Sequence, residues 1–395
     1  MYKWLILKRR IEALFIFPFA LLGKCYALLN PLKEEYDIFF FFPFYHVGGA
    51  EKVNSDIVQQ FPDKKVIIFF TKKSKNEAML SFFKGPHITL REISQHTDNK
   101  WMYWKNLVWR GIVATYINKQ TKQPRVFNGQ CNFGYKLSPH IKKKIKQVEL
   151  IHLICSFSYI RMPFLPFYDT TVMISQDSID EHKALYRKYS IPAYYDARIQ
   201  LILNGITLPG DTTSLAGGGE LQCLYVGRGD IGQKRVDALA LLAKKLKDEG
   251  LPARLNFMGN VAPAVPENLR PYCNFLGEKS DPAEIDRVYR SNHLLILLSA
   301  YEGFPMVVME AMARGLAVVS TDVGDLPFHV KDGVNGLLIN NDQTDAALVD
   351  EAFKKLQLLL ADRSLLARFY TNNIAYARSH FGMEPFAKAY RALLI

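Results

Sequence analysis

Cysteine is scarce in this chain of 395 residues, and its spacing excludes two kinds of site. The five cysteines are Cys25, Cys131, Cys155, Cys223 and Cys273, and no two of them form a CxxC pair. The pattern argues against a disulfide framework and a zinc site, and favours free thiols in a reducing compartment. The sequence has no DxD motif and no His/Cys/Asp cluster with metal-ligand spacing, so we predict no metal.

The sequence also lacks an apolar run long enough to predict a transmembrane helix. The N-terminal run from Ala13 to Gly23 contains Pro18 and has only about half of the ~20 residues that a bilayer span needs. Four basic residues precede it, namely Lys3, Lys8, Arg9 and Arg10. We predict an interfacial helix with a basic and an apolar face, lying on a membrane. A helix packed on the N-terminal domain and a secretory signal are the alternatives.

Acidic residues are under-represented in the first half of the chain. Residues 1–200 contain 30 lysines and arginines against 16 acidic residues, and the remainder contains 20 against 22. The net charge of +12 therefore comes from the first half, which indicates anionic partners such as phospholipid head groups, phosphorylated substrates or nucleic acid. Helix-turn-helix, RNP-like and zinc-finger signatures are absent, so we predict no nucleic-acid partner.

Apolar runs of strand length alternate with segments of helical periodicity along most of the chain, which predicts an α/β fold with mainly parallel sheets. The chain is too long for one hydrophobic core, and its Gly-, Pro- and Thr-rich stretch 204–220 predicts a linker between two domains. We predict an amphipathic extension over 1–36, Rossmann-like domains over 37–203 and 221–375, and a C-terminal helix over 376–395 that crosses back to the first domain.

The segment from Tyr301 to Met312 is the strongest candidate site. Glu302 follows the predicted buried strand Leu294 to Ser299, where ligands bind in doubly wound sheets. Glu310 lies on a helix that is apolar nearly all round, and a carboxylate there is costly unless it is hydrogen-bonded. Two ribose hydroxyls would satisfy it. Alternatively, Glu302 caps the helix and Glu310 forms an internal ion pair.

Residues 301–339 resemble the nucleotide-sugar signature of retaining glycosyltransferases of family four, which have the GT-B fold of two Rossmann-like domains facing a central cleft. The resemblance extends from Asp37 to the C-terminus and is strongest over 221–339. It implies that Glu302 contacts the transferred sugar, that Glu310 contacts the ribose, and that Gly303 and Phe304 belong to the donor site. It also implies that 37–203 is the acceptor side and 221–375 binds the donor.

A second candidate site is the loop between Val226 and Arg235. Arg228 and Lys234 are spaced like the basic pair that holds the donor diphosphate in the family, and fixed cations would stabilise the charge of a leaving phosphate. The family usually has a glycine where this chain has Arg235, which leaves the loop geometry open. The alternative is that these are solvated loop charges.

Two candidates lie in the first domain. Gly48 and Gly49 stand between a strand and a helix, where backbone amides can approach a phosphate, although a plain tight turn has the same pattern. His152 lies in the predicted strand Val148 to Cys155 and resembles the active-site histidine of the family. A buried core histidine is the alternative, with His46 or His140 in the catalytic role.

We therefore predict a metal-independent, retaining glycosyltransferase that needs no cofactor besides its substrate, a UDP- or GDP-sugar. The expected acceptor is a hydroxyl of a saccharide or lipid-linked molecule in surface glycan or lipid-linked oligosaccharide synthesis. The expected location is the cytoplasm, peripherally on the inner face of the cytoplasmic membrane. A nucleotide-sugar epimerase on the same fold and a non-catalytic membrane-associated scaffold are the alternatives.

Overall fold

The structure, a computed structural model, describes residues 1–46, 48–152, 155–210 and 219–395, with only the backbone of residues 156 and 157. Val47 of the predicted glycine turn and residues 211–218 of the predicted linker lie outside the described residues. The chain divides into two compact units. The first unit comprises Met1–Gly205 with Phe386–Ile395, and the second comprises Ile206–Pro385.

The first unit is built on a seven-stranded parallel sheet in the order β3-β2-β1-β4-β5-β6-β7. Its strands are β1 (Ile38–Phe42), β2 (Val66–Phe70), β3 (Ile88–Glu92), β4 (Arg125–Gly129), β5 (Gln147–Ile151), β6 (Thr170–Met173) and β7 (Ile199–Leu201). The central strands β1, β2 and β5 are buried along their whole length. Burial on both faces is what continuous apolar runs predict for strands covered by helices on each side.

Eight α-helices contribute to the first unit within the described residues. They are α1 (Tyr2–Leu29), α2 (Gly49–Val58), α3 (Ser94–Thr97), α4 (Tyr103–Asn118), α5 (Asn132–Leu137), α6 (Ser156–Ile160), α7 (Gln176–Lys188) and α14 (Met383–Leu394), the last entering this unit from Phe386 onward. Arg391 of α14 anchors it by donating to the backbone oxygen of Gln60 at 2.8 Å and to Asp63 at 2.7 Å. Thus the last ten residues of the chain are part of the first unit.

The second unit contains a six-stranded parallel sheet in the order β10-β9-β8-β11-β12-β13. Its strands are β8 (Leu221–Val226), β9 (Ala253–Met258), β10 (Asn274–Gly277), β11 (Leu294–Leu297), β12 (Ala317–Thr321) and β13 (Gly336–Ile339). Its helices are α8 (Val236–Asp248), α9 (Pro282–Arg290), α10 (Met306–Ala313), α11 (Leu326–His329), α12 (Asp345–Ala361) and α13 (Ser364–His380). In both sheets the chain winds outward in two directions from the first strand, as in doubly wound nucleotide-binding folds.

The prediction of an α/β chain with two parallel-sheet domains is confirmed. Three local predictions were wrong. Strand β5 ends at Ile151 and not at Cys155, strand β13 was missed, and the predicted helix over 376–395 is two helices that meet at Phe381–Gly382. Strand β13 has only four residues between a turn and polar loops, too short for periodicity to detect.

The N-terminal helix also differs from its prediction. Helix α1 is 28 residues long and continues through Pro18, and by length and composition it is long and apolar enough to cross a membrane, with a mean hydropathy of 1.7 in an 18-residue window. The apolar run from Ala13 to Gly23 covers less than half of this helix, which also contains apolar residues on both sides of the run. Its basic residues do not form a face of their own, because apolar side chains are exposed among them.

Candidate functional site

The loop between β8 and α8 is held by Arg235, the residue that replaces the usual glycine. Its backbone is left-handed, with φ 47° and ψ 49°. Its guanidinium donates to Asn341 Oδ1 at 2.6 Å and to the backbone oxygen of Leu298 at 3.3 Å, and it pairs with Asp345 at 3.2 Å. These three contacts offset the cost of a side chain in a conformation that favours glycine. The loop geometry left open by the sequence is therefore fixed by this side chain.

The same loop is joined to the segment after β11. The amide of Ala300 donates to the backbone oxygen of Gln233 at 2.8 Å, and the Gln233 side chain donates to the backbone oxygen of Tyr301 at 3.2 Å. Next to these bonds the ammonium of Lys234 forms an ion pair with the carboxylate of Glu302. The Lys234 side chain is 15% exposed and that of Glu302 is 7% exposed. Two sequence motifs 68 residues apart thus form one site.

Arg228 contributes to this site less firmly than Lys234. Its side chain is 70% exposed, donates to Gln233 Oε1 at 2.8 Å and pairs with Asp230 at 3.4 Å. An exposed arginine of this kind is strongly screened by water. Its own geometry matches the solvated loop charge that the sequence left as an alternative, whereas Lys234 is held against the mostly buried carboxylate of Glu302.

The turn at Glu302–Gly303 packs on a second loop that sequence reasoning missed. Gly324 has φ +54°, and a Cβ at this position would lie 2.2 Å from the backbone oxygen of Glu302. The amide of Asp325 donates to the backbone oxygen of Gly303 at 3.0 Å. Only glycine satisfies both the conformation and the close approach at position 324. The Val-Gly-Asp tripeptide after β12 was the available sequence signal.

Phe304 of the predicted donor site is buried, so it is not a free platform for a ligand. Its ring stacks on that of His329, with centroids 4.1 Å apart, and contacts Phe381 at 5.3 Å. Burial lowers the pKa of His329 to about 4, which keeps the imidazole neutral at pH 7. This aromatic cluster fixes Phe304 in the turn that precedes α10.

Glu310 is half-buried on α10, and a tyrosine outside the motif holds it. The hydroxyl of Tyr289 donates to Glu310 Oε2 at 2.7 Å. Burial, together with the nearby charge of Glu310, raises the pKa of Tyr289 far above its usual value, so the phenol remains a donor. The guanidinium of Arg314 lies 5.0 Å from the Tyr289 ring and pairs with Asp286. A carboxylate on an apolar helix is thus fixed by a neutral donor.

In the first unit the carboxylate of Glu51 lies close to the predicted glycine turn. Helix α2 begins at Gly49, and Gly48 before it is extended, with φ −178°. The Glu51 carboxylate lies so close that a Cβ on Gly48 would be 2.2 Å from Glu51 Oε2, and His46 pairs with Glu51 at 3.7 Å. An anion approaching these helix amides would also meet the negative charge of Glu51, which disfavours its binding.

His152 immediately follows β5, at the carboxyl end of the sheet, and so is not inside a strand as predicted. Its backbone amide donates to Gln130 Oε1 at 3.1 Å, and its Nε2 has no hydrogen-bond partner among the described residues. Burial lowers the pKa of His152 to about 4, so the ring is neutral at pH 7. The imidazole is thus a buried group at a strand end with one unsatisfied ring nitrogen. The alternative His140 is also neutral, with its pKa lowered by burial to about 4.

Comparison with known proteins identifies a domain in the second unit. Residues 220–357 match the family described as "Glycosyl transferases group 1". A D-inositol 3-phosphate glycosyltransferase from Rhodococcus erythropolis is 29% identical over 54% of this chain and 53% of its own length. The chain spans about half the length, or less, of the first curated relatives that it matches. Residues 220–357, which match the family, contain both Lys234 and Glu302.

Solved structures share the fold of nearly the whole chain. HepE from Anabaena, in complex with UDP and glucose, superposes with a TM-score of 0.67 over 91% of this chain and 99% of its own, at 16% identity. The lipopolysaccharide outer core galactosyltransferase WaaB superposes with a TM-score of 0.66 over 90% and 98%, at 19% identity. The predicted GT-B class of fold is therefore confirmed, and within it residues 220–357 match the glycosyl transferases group 1 family.

Proposed function

We propose that this chain is a metal-independent, retaining glycosyltransferase that moves a sugar from a nucleoside diphosphate to a hydroxyl acceptor. The ion pair between Lys234 and Glu302 carries the proposal, because it joins a phosphate-binding cation to a sugar-binding carboxylate within the matched domain. Neither side chain is fully buried, so an anionic ligand can reach the ammonium.

Each donor-site residue has a distinct role in this proposal. Lys234 and Arg228 bind the diphosphate, Glu302 with the Gly303 turn binds the transferred sugar, and Glu310 accepts hydrogen bonds from the ribose hydroxyls. Tyr289 is a positioning residue, since it holds one carboxylate oxygen of Glu310 at 2.7 Å. The HepE complex with UDP and glucose supports a nucleotide-sugar donor for this fold.

The proposed reaction breaks the bond between the anomeric carbon and the diphosphate oxygen and forms a bond from that carbon to the acceptor oxygen. The proton of the acceptor hydroxyl passes to the leaving phosphate, which attack on the same face permits, and configuration is retained. Charge that develops on the diphosphate meets the ammonium of Lys234, which the protein already holds in place. A preorganised donor of this kind is worth roughly 3 to 4 kcal/mol in the transition state.

The acceptor in this proposal is a lipid-borne hydroxyl at the cytoplasmic membrane surface, in surface glycan or lipid-linked oligosaccharide synthesis. The basic excess of the first half of the chain and the exposed apolar side chains of α1 support it. His152, neutral and incompletely hydrogen-bonded, is the proposed sugar- or acceptor-contacting group of the first unit, and the backbone at Gly48 and Gly49 is proposed to approach a phosphate.

Calorimetric titration with UDP and GDP tests the donor site. Glu310→Gln keeps the shape of the side chain but weakens its hydrogen bonds to ribose, so binding should weaken by roughly 1 to 3 kcal/mol. Glu249→Gln is the control, because Glu249 is an exposed carboxylate in the turn after α8. Equal nucleotide affinity in both variants would rule out the ribose contact.

A further inference from the structure

Helix α1 is attached to the first unit by one face. Ala20 and Gly23 pack directly against α4: a Cβ on Gly23 would lie 2.0 Å from the backbone oxygen of Val108, and one on Gly111 would lie 2.0 Å from that of Ala20. Nearer the N-terminus, Arg9 donates to the backbone oxygen of Pro163 at 2.8 Å. Helix-to-helix contact this close leaves no room for larger side chains, so α1 is fitted to α4.

The opposite face of α1 is apolar and exposed along the helix. Its large apolar side chains recur at three- and four-residue spacing and are at least two-fifths exposed, namely Trp4, Leu7, Ile11, Leu14, Phe15, Phe17, Leu21, Leu22, Leu28 and Leu29. We call this set the apolar stripe. Lys3, Lys8 and Arg10 are exposed among these side chains. A surface helix normally has one apolar stripe, facing the core, so a second one marks an interaction surface.

A second apolar patch lies just before and at the start of α4. Trp101, Met102, Tyr103 and Trp104 are consecutive and exposed, Trp101 to 96%. Tryptophan and tyrosine favour the boundary between bilayer and water because each joins an apolar ring to a polar group. The ammonium of Lys105 lies 5.8 Å from the Trp104 ring.

A groove of about 730 Å³ lies between the first half of α1, the start of α4 and residues 159–167, all within the first unit. We call it the α1 groove. Ile16, Leu107 and Phe164 provide part of its apolar wall, and Phe15 and Phe17 belong both to this wall and to the apolar stripe. The apolar stripe and the apolar wall of the groove therefore share these two side chains.

The charges that line the α1 groove are almost all positive. Five cations face one carboxylate, Glu12; the cations are Lys8, Arg9, Arg10, Arg110 and Lys136. Arg110 is only 2% exposed and donates to Asn106 Oδ1 and to the Tyr103 hydroxyl, which also accepts from Lys136 at 3.0 Å. Within the described residues Arg110 forms no ion pair with a carboxylate. The carboxylate of Glu12, which also lines the groove, attracts Arg110 without forming an ion pair with it. Burying a guanidinium without a directly paired anion is unfavourable, and a bound anion would offset that cost.

The geometry points to the α1 groove as the binding site of one anionic phospholipid taken from a bilayer. An acyl chain lies along the apolar wall, and the phosphate lies at Arg110, Lys136 and Arg10. The apolar stripe and the patch before α4 enter the same leaflet. Because α1 packs on α4 through close contacts of Ala20 and Gly23, the helix lies along the membrane and does not cross it. This inference adds a lipid site to the proposed membrane location and is independent of the donor chemistry.

Co-sedimentation of the full chain with vesicles tests the inference. Vesicles of phosphatidylcholine and phosphatidylglycerol in equal parts should bind the protein, and vesicles of phosphatidylcholine alone should bind it far less. Arg110→Gln combined with Lys136→Gln should lower the affinity at least about tenfold, since the charge-assisted contacts to one phosphate are lost. Lys143→Gln combined with Lys144→Gln removes the same charge from exposed sites outside the groove and is the matched control.

A second variant guards against misfolding when Arg110 is replaced. Leu14→Ser combined with Phe15→Ser changes side chains that are 73% and 74% exposed, so the fold should survive while vesicle binding falls. Equal losses in the groove variant and the lysine control would overturn the lipid site in favour of diffuse charge attraction. Binding that resists alkaline extraction would overturn it in favour of a spanning helix. Nucleotide calorimetry on the same variants separates these outcomes from failure of the proposed transferase, because donor affinity should not change.

Discussion

The two units each contain a conspicuous lysine or arginine paired with a glutamate, and the two pairs differ in access. In the first unit Arg161 and Glu149 are both fully buried, and their remaining bonds go to Tyr186 at 2.8 Å and Thr171 at 2.6 Å. In the second unit Lys234 and Glu302 remain partly exposed. We call Arg161–Glu149 the closed pair and Lys234–Glu302 the open pair. The closed pair can only stabilise one packing arrangement, whereas a residue of the open pair can exchange its partner for a ligand.

Position in the sheet accounts for this difference. Glu149 lies within β5, so its side chain points into the layer between sheet and helix. Glu302 lies beyond the end of β11, where side chains reach the crevice that binds ligands in doubly wound folds. The same residue type is therefore structural inside a strand and available for chemistry after its carboxyl end.

The largest expected effect comes from breaking the closed pair. Arg161→Met leaves Glu149 buried without its cation, so the first unit should lose roughly 3 to 5 kcal/mol of unfolding free energy. Tryptophan fluorescence during urea unfolding reports this unit selectively, because all four tryptophans lie in it: Trp4, Trp101, Trp104 and Trp109. Adding Glu149→Leu should restore much of the loss, and a double variant no better than the single one would contradict a closed pair.

Breaking the open pair should affect turnover more than stability. Lys234→Ala removes the cation proposed to meet the leaving diphosphate and should lower kcat about 100-fold or more. Lys247→Ala on the exposed side of α8 is the control and should leave kcat unchanged. The metal-free part of the proposal fails if EDTA abolishes activity and manganese restores it.

Acid should destabilise the first unit more than the second. Burial lowers the pKa of three histidines in the first unit to about 4, namely His140, His152 and His182, against only His329 in the second among the described residues. Because an unfolded histidine has a pKa near ~6.5, the unfolded chain binds more protons between these values. The stability gained by burying these rings in the neutral form is fully present above the unfolded pKa of about 6.5, and it declines as the pH falls toward 4.

Between pH 7 and pH 5 the first unit should therefore lose more stability than the second. The urea midpoint detected by tryptophan fluorescence reports the first unit, and hydrogen-exchange protection of β8 and β12 reports the second. His182→Gln should reduce this pH dependence by about 1 to 2 kcal/mol, since it removes one titrating group with a pKa lowered by burial and by Arg161. Comparing slopes with pH, and not absolute stabilities, removes the cost of losing the ring's hydrogen bonds to Ser158 and Ser178. An unchanged slope would mean that His182 titrates normally in the folded protein.

The smallest effects should come from matched helix caps. Ser175 accepts from the amide of Ser178 at 3.2 Å to cap α7 in the first unit, and Thr344 accepts from Ala347 at 3.3 Å to cap α12 in the second. Each alanine substitution should cost about 1 kcal/mol. Ser175 is fully buried, so its replacement also leaves the backbone amide of Ser178 without a hydrogen bond and away from water. Ser175→Ala should therefore lower the thermal stability more than Thr344→Ala.

Sequence reasoning located the elements of the second unit better than the details of its site. The motif around Glu302 and the loop with Lys234 were found separately because each follows a strand, yet their ion pair depends on β8 and β11 being neighbours in the sheet. Tyr289, which holds Glu310, lies 21 residues before it and belongs to no motif. Its role could not be predicted because contacts between helices α9 and α10 leave no local pattern.

The sequence by itself determined the α/β class, the two Rossmann-like domains and the two candidate motifs of the second unit, because alternating apolar runs and strand-end glycines are local signals of backbone and burial. Only the tertiary structure decided that Arg235 replaces a glycine by anchoring its own loop, that Glu51 lies over Gly48, and that α1 leaves an apolar stripe exposed while its other face fits α4. These outcomes depend on which elements become neighbours, and in a folded chain that is settled by long-range packing and not by adjacent residues.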